Sequence, residues 1–145
     1  MPATSDFPVS ALAVGEFEND RALLREICNA AGWRLYEARD RRHAMQILER
    51  SSVQVVLAES DLPNWNWRKV LYDLRRLAQP PQLIVTSRTA DDYLWSEVLN
   101  IGGYDVLPQP LERDETERVI AAARRAFSRP MARAGAPGAI APAVA

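Results

Sequence analysis

The sequence contains little of what defines several common protein classes. Cys28 is the single cysteine among 145 residues, so an intramolecular disulfide is excluded and a reducing compartment is expected. The net charge of −1 gives no overall field that would attract nucleic acid or an anionic membrane. No apolar run approaches transmembrane length, and the first residues lack the basic start and apolar core of a signal peptide. These absences predict a cytoplasmic protein with no membrane association and no direct contact with nucleic acid.

Histidine is almost absent as well. The single histidine, His43, follows two arginines and has no cysteine or second histidine near it, so neither a metal site nor a catalytic role is expected. Arginines cluster at residues 39–42 and 124–125, where we expect solvated faces of helices.

The composition is otherwise that of a globular domain, with 48% hydrophobic and 26% charged residues. Residues 1–8 mix Pro, Ser, Thr and Asp and are expected to form a flexible leader. Residues 128–145 consist mostly of Ala, Pro, Gly and Arg and are expected to form a disordered tail. The predicted folded domain therefore spans residues 9–127.

The stretch from residue 53 to residue 63 organises the rest of the chain. It begins as an apolar, β-branched run typical of a strand that is buried on both faces. It ends on two carboxylates, Glu59 and Asp61, followed by a Leu-Pro turn. Open α/β sheets bind ligands outside the carboxyl ends of their strands, so this position favours a functional site.

Strand-like and helix-like segments alternate on both sides of this stretch. The other strand-like segments are residues 9–14, 33–38, 82–86 and 104–107, and the last helix is predicted over about 114–127. Asn19 or Asp20 is placed to cap the first helix, and Trp95 and Val98 are expected on one apolar face of the fourth. Parallel strands need crossover connections, so the alternation predicts a five-stranded parallel sheet between two layers of helices.

Several landmarks along this pattern resemble the receiver domains of two-component response regulators. Acids follow the first strand, an acid ends the third strand shortly before a Leu-Pro pair, and hydroxyls end the fourth strand. A Gly-Gly pair precedes the fifth strand, and Gln109-Pro110 follows it. The resemblance covers residues 9–127. It implies a flavodoxin-like, three-layer (βα)5 sandwich with strand order 2-1-3-4-5.

The resemblance also implies a chemistry. Receivers phosphorylate themselves on an aspartate at the end of the third strand, with Mg²⁺ held by acids after the first strand. A lysine after the fifth strand contacts the phosphoryl oxygens, and a Ser or Thr on the fourth strand hydrogen-bonds the phosphoryl group. An aromatic residue on the fifth strand then moves inward and changes the surface that partners recognise.

This sequence differs from that scheme at decisive positions. Glu59 stands at the phospho-acceptor position and Gln109 at the lysine position, which removes a charge from the site. Thr86 matches the switch hydroxyl, with Ser87 as an alternative if the loop is offset by one. The aromatic position falls on Val106, whereas Tyr104 is aromatic and expected on the same strand face. The remaining pocket acids implied by the resemblance are Glu16, Glu18 and Asp61, and weak Mg²⁺ binding would fall to Glu16, Glu18 and Glu59.

These departures predict an atypical receiver, a pseudo-receiver that is not an enzyme and acts through protein–protein interaction. Glu59 is further hypothesised to imitate a phosphorylated aspartate, its charge reaching toward Thr86. The resemblance places the working surface on the fourth helix, fifth strand and fifth helix, where a homodimer or protein partner would bind. A sensor histidine kinase is the implied upstream partner. The residues expected on this surface are Asp91, Asp92, Tyr93, Tyr104, Arg113, Arg118 and Arg125.

Three alternatives compete with this interpretation. A phosphorylatable receiver with unusual site residues would use Mg²⁺ and take Asp61 as the acceptor. A small flavodoxin-like enzyme or cofactor binder is disfavoured because no Gly-rich phosphate loop follows the first strand. DNA binding is disfavoured because no helix-turn-helix segment follows the receiver-like region.

Overall fold

The computed structural model describes residues 9–134, in which strands and helices alternate strictly. The strands are β1 (Ser10–Val14), β2 (Arg34–Ala38), β3 (Val55–Glu59), β4 (Gln82–Ser87) and β5 (Asp105–Pro108). The helices are α1 (Arg21–Ala31), α2 (Arg41–Arg50), α3 (Trp67–Arg75), α4 (Asp92–Asn100) and α5 (Arg113–Ala134).

All described strands join one parallel sheet in the order β2-β1-β3-β4-β5, which confirms the predicted fold. The central strands are continuous apolar runs because the sheet is covered on both faces. One core cluster joins the sheet to α2, α3 and α4 through residues such as Val70 and Val98. The other joins it to α1 and α5 through residues such as Leu24 and Ile120. The register places Glu59 beside Thr86 at the carboxyl edge.

Short polar side chains cap the N-termini of three helices, α2, α3 and α4. Asp40 accepts a hydrogen bond from the backbone N–H of His43, and Asp91 accepts one from Leu94. Asn66 caps α3 in the same way. The local sequence predicts Asp20 as a cap of α1, but its side chain makes no capping hydrogen bond and bonds elsewhere.

Two further sequence-based expectations differ from the structure. The periodicity predicts a last helix that ends at Phe127, whereas α5 continues to Ala134. Trp95 is expected to share a buried face with Val98, but it is 48% exposed because the sheet covers only a narrow face of α4. The predicted leader, residues 1–8, and residues 135–145 of the predicted tail lie outside the described residues. No helix within residues 9–134 is long and apolar enough to cross a membrane.

Candidate functional site at the carboxyl edge of the sheet

A cleft of about 410 Å³ opens at the carboxyl ends of β1, β3, β4 and β5. Parallel strands bring their carboxyl ends to one edge, so residues far apart in sequence meet there. The cleft gathers the sequence-predicted site residues of these strands and their loops. Those residues are Glu16, Glu18, Glu59, Asp61, Thr86, Ser87 and Gln109.

Glu59 ends β3, and its carboxylate turns toward the loop after β1. Oε1 accepts a hydrogen bond from the backbone N–H of Glu16 at 2.9 Å, and Oε2 accepts one from Phe17 at 3.2 Å. The Gln109 side chain donates a third bond from Nε2 to Oε2 at 3.3 Å. Backbone amides and a neutral amide therefore bind the carboxylate, where the family scheme would use a metal ion and a lysine.

Gly15 makes this position of Glu59 possible. A Cβ atom built on Gly15 would lie 2.8 Å from Cδ and 2.9 Å from Cγ of Glu59, closer than such atoms approach. Gly15 also has φ +135°, a conformation that residues with a side chain rarely adopt. The longer acid at position 59 is thus accommodated by the absence of a side chain at position 15.

Gln109 connects Glu59 to a buried acid that sequence reasoning did not identify as a site residue. Its Nε2 also donates to Oδ2 of Asp20 at 3.1 Å, and Oδ1 of Asp20 accepts from the backbone N–H of Leu111 at 3.0 Å. Asp20 is only 4% exposed. Its local sequence signals a helix cap, so only the three-dimensional contact with the loop after β5 identifies its role.

The other two predicted magnesium ligands do not converge on Glu59. The side chains of Glu16 and Glu18 are 67% and 79% exposed and pair with Arg39 at 3.4 Å and Arg88 at 4.0 Å. Within residues 9–134, no group of three or more His, Cys, Asp or Glu side chains could hold a metal ion. Mg²⁺ prefers octahedral oxygen coordination, so this arrangement does not fit the ion.

Thr86 is fully buried beside Glu59, and its Oγ1 has no hydrogen-bond partner among the described residues. The hypothesis that the Glu59 charge reaches toward Thr86 is therefore wrong for this structure, since the carboxylate binds the loop after β1 instead. The Ser87 hydroxyl is engaged locally, 3.2 Å from the hydroxyl of Thr89. Asp61 is exposed on the rim of the cleft.

Tyr104 and Val106 are expected on one face of the fifth strand, and this expectation is wrong. Tyr104 precedes β5 and packs against the α1 and α5 side of the sheet. Val106 is buried on the opposite side, in the cluster of α2, α3 and α4. The position at which the family scheme has an aromatic residue is therefore held by the buried aliphatic residue Val106.

A second network fixes the loop that follows β3. The indole N–H of Trp65 donates to Oδ2 of Asp73 at 2.8 Å, and Arg41 donates to the same oxygen at 2.9 Å. Burial alone would raise the pKa of Asp73, but the hydrogen bonds from Arg41 and Trp65 hold that pKa below its ordinary value. This network anchors the loop that follows Glu59 to α3 and to the start of α2.

Comparisons with known proteins agree with this architecture. The family model described as "Response regulator receiver domain" matches residues 12–121. The transcriptional regulatory protein CpxR of Klebsiella pneumoniae subsp. pneumoniae (strain HS11286) is 30% identical over 106 residues, covering 72% of this chain and 44% of that protein. The chain therefore spans less than half the length of this curated relative.

Solved structures show the same fold at lower identity. The signal receiver domain of an HD domain-containing protein from Pseudomonas fluorescens Pf-5 has a TM-score of 0.73 at 21% identity, covering 83% of this chain and 98% of that chain. The receiver domain of a putative LuxO repressor protein from Vibrio parahaemolyticus has a TM-score of 0.74 at 19% identity, covering 86% and 95%. The Saccharomyces cerevisiae Ssk1 receiver domain, solved with the histidine phosphotransfer protein Ypd1, has a TM-score of 0.67 at 15% identity, covering 77% and 86%.

Proposed function

The chain belongs to the response regulator receiver domain family of two-component signalling, and we propose that it is a pseudo-receiver that signals without accepting a phosphoryl group. Receiver domains commonly bind Mg²⁺ and interact with histidine kinases or phosphotransfer proteins. In this chain the acceptor position holds Glu59 and the lysine position holds Gln109. The carboxylates needed for a metal ion are not assembled within residues 9–134.

One observation carries this proposal: the Glu59 carboxylate is already bound on both oxygens. Oε1 faces a backbone amide and Oε2 faces both a backbone amide and the amide of Gln109. A phosphoryl donor would have to displace these contacts, and no metal ion or lysine would compensate the added negative charge. The same contacts hold the carboxylate away from Thr86. The domain therefore keeps one conformation that does not depend on phosphorylation, and it works in the cytoplasm without catalytic activity.

Signalling would then rest on a surface formed by α4, β5 and α5. Trp95 and Leu99 are 48% and 44% exposed there, and the Trp95 indole donates to Oδ1 of Asp105 on β5 at 2.9 Å. Arg118 and Arg125 on α5 add exposed cations to this surface. Aromatic residues and arginines are enriched at binding hot spots.

The proposed occupant of this surface is a second copy of the chain or a protein partner such as a sensor histidine kinase. Asp91 and Asp92 lie at the start of α4, and the cations lie along α5. A two-fold axis could place each acidic helix end against the partner's arginines, as an isologous dimer requires.

Charge reversal tests the surface directly. Arg118→Glu with Arg125→Glu should reduce self-association in light scattering, or reduce capture of the cognate kinase. Arg50→Glu, an exposed change at the end of α2, is the matched control and should leave both unchanged. Adding acetyl phosphate and Mg²⁺ should alter neither measurement. If self-association and partner capture survive the double reversal, the working surface lies elsewhere.

A further inference from the structure

The solvent side of α3 has an unusual composition. The exposed residues of this helix and its C-terminal cap include Arg68, Lys69, Tyr72, Arg75 and Arg76. Residues spaced three and four apart share one helix face, so these side chains form a continuous stripe. No exposed acidic side chain of α3 interrupts it. The whole chain has a net charge of −1, and this stripe is a local exception.

The single acid of α3 is mostly buried and is not part of the exposed stripe, although its charge also attracts Arg76. The side chain of Asp73 is 15% exposed and faces inward, where it accepts hydrogen bonds from Arg41 and the Trp65 indole. Its charge is thus committed to fixing the loop after β3. Arg68 and Arg75 are engaged by α4, so Lys69 and Arg76 are the outward cations of α3 that can meet a ligand of opposite charge.

Tyr72 lies at the centre of the stripe and is 63% exposed. The Arg76 guanidinium lies 5.6 Å from its ring centroid, and Arg76 Nη1 donates to the Tyr72 hydroxyl at 3.4 Å. This cation–π contact holds the ring in place, which lowers the entropy lost when a partner packs on it. Exposed tyrosine and arginine together are enriched at binding hot spots.

Helix α4 lies beside the stripe. Arg68 pairs with Glu97 at 2.5 Å, and the Arg75 guanidinium donates to the backbone carbonyl of Ile101. Tyr93, one helical turn before Glu97, is 72% exposed. The Arg68–Glu97 pair therefore lies between the turns that carry Tyr72 and Tyr93.

We propose that the α3 stripe, next to the edge of α4, docks an acidic protein segment that carries an aliphatic or aromatic side chain. Acidic side chains would pair with Lys69 and Arg76, while the apolar side chain would pack on Tyr72. A protein segment fits better than nucleic acid because it can place its acids at Lys69 and Arg76 and leave Glu97 of α4 unopposed, whereas a regular row of phosphates cannot. The side chains that carry this proposal lie on α3, outside the surface of α4, β5 and α5, and the proposal does not depend on that surface.

The test uses three labelled probes with the full chain. They are a Glu- and Leu-rich helical peptide, the same peptide with every Glu replaced by Gln, and a single-stranded DNA oligonucleotide of matching charge. Fluorescence anisotropy measures affinity, and amide chemical shifts locate the contact. The acidic peptide should bind best and shift the amides of α3.

Variants give the decisive comparison. Lys69→Glu with Arg76→Glu should weaken acidic-peptide binding at least about tenfold, which corresponds to ~1.4 kcal/mol. Tyr72→Ala should weaken it as well, while Arg118→Glu with Arg125→Glu should leave it unchanged. Circular dichroism establishes that each variant is folded. The proposal is overturned if the oligonucleotide binds more tightly than the acidic peptide or if the peptide shows no binding. It is also overturned if the charge reversal on α3 and the charge reversal on α5 weaken peptide binding equally.

Discussion

The carboxylate of Glu59 occupies the space in which a side chain at Gly15 would lie. The two positions are therefore matched: the longer acid fits only because the residue after β1 has no Cβ atom. The backbone amides of the same loop then bind the Glu59 carboxylate. A single steric relationship thus underlies the way in which the acid at the acceptor position is held.

A double-mutant cycle tests this match. Gly15→Ala should destabilise the protein by about 1–3 kcal/mol through its positive φ, with a further cost from displacing Glu59. In a Glu59→Ala background the steric part disappears, so Gly15→Ala should cost about 1 kcal/mol less. Urea unfolding measures all four proteins. Gly32→Ala is the control, since Gly32 also has a positive φ but a Cβ atom there would have nothing within 4 Å. Equal costs of Gly15→Ala in both backgrounds would contradict the match.

Gln109 should contribute to stability by bridging two acids. Gln109→Ala removes one donor from the buried carboxylate of Asp20 and leaves it the Leu111 amide. The expected loss is about 1–3 kcal/mol, the cost of an unsatisfied buried polar group. Gln109→Lys retains a donor and should lose less. Gln79→Ala, on an exposed loop, is the matched control. If Gln109→Ala melts at the wild-type temperature, the bridge is not formed in solution.

The Asp73 network predicts a specific dependence on pH. The folded-state pKa of Asp73 is lowered, so its contribution is present above the unfolded pKa of about 3.9 and is lost as pH falls through the folded value. The stability difference between wild type and Asp73→Asn should therefore be largest near neutral pH and shrink below about pH 4. Glu117→Gln, an exposed change on α5, should show no comparable trend. If the stability difference between wild type and Asp73→Asn instead grows as the pH falls, the proposed role of the Asp73 network is contradicted.

The sequence was sufficient to predict the fold and the residues at the carboxyl edge of the sheet. The apolar runs indicate where each strand ends. In a parallel sheet, the residues that follow those ends lie together at one edge. The strand pattern alone therefore predicts Glu59 at this edge, and the family resemblance adds Thr86 and Gln109. The strand order followed from the family resemblance.

The contacts within the cleft could not be predicted in the same way. The steric match of Gly15 with Glu59 depends on the approach of two loops, and no local pattern reports it. Asp20 carries a strong local signal for a helix cap, yet a long-range contact with Gln109 determines its role. Trp95 is wrongly placed on a buried face because periodicity shows which residues align but not how much of the helix the sheet covers.

Intact mass spectrometry after incubation with acetyl phosphate and Mg²⁺ tests the central claim most directly. A receiver with aspartate at the acceptor position, treated in parallel, shows that the donor is active. The account predicts that this chain remains unmodified, because the Glu59 oxygens are already bound and neither a metal site among the described residues nor a lysine supports the transfer. A stoichiometric acyl phosphate on Glu59 or Asp61 would contradict it.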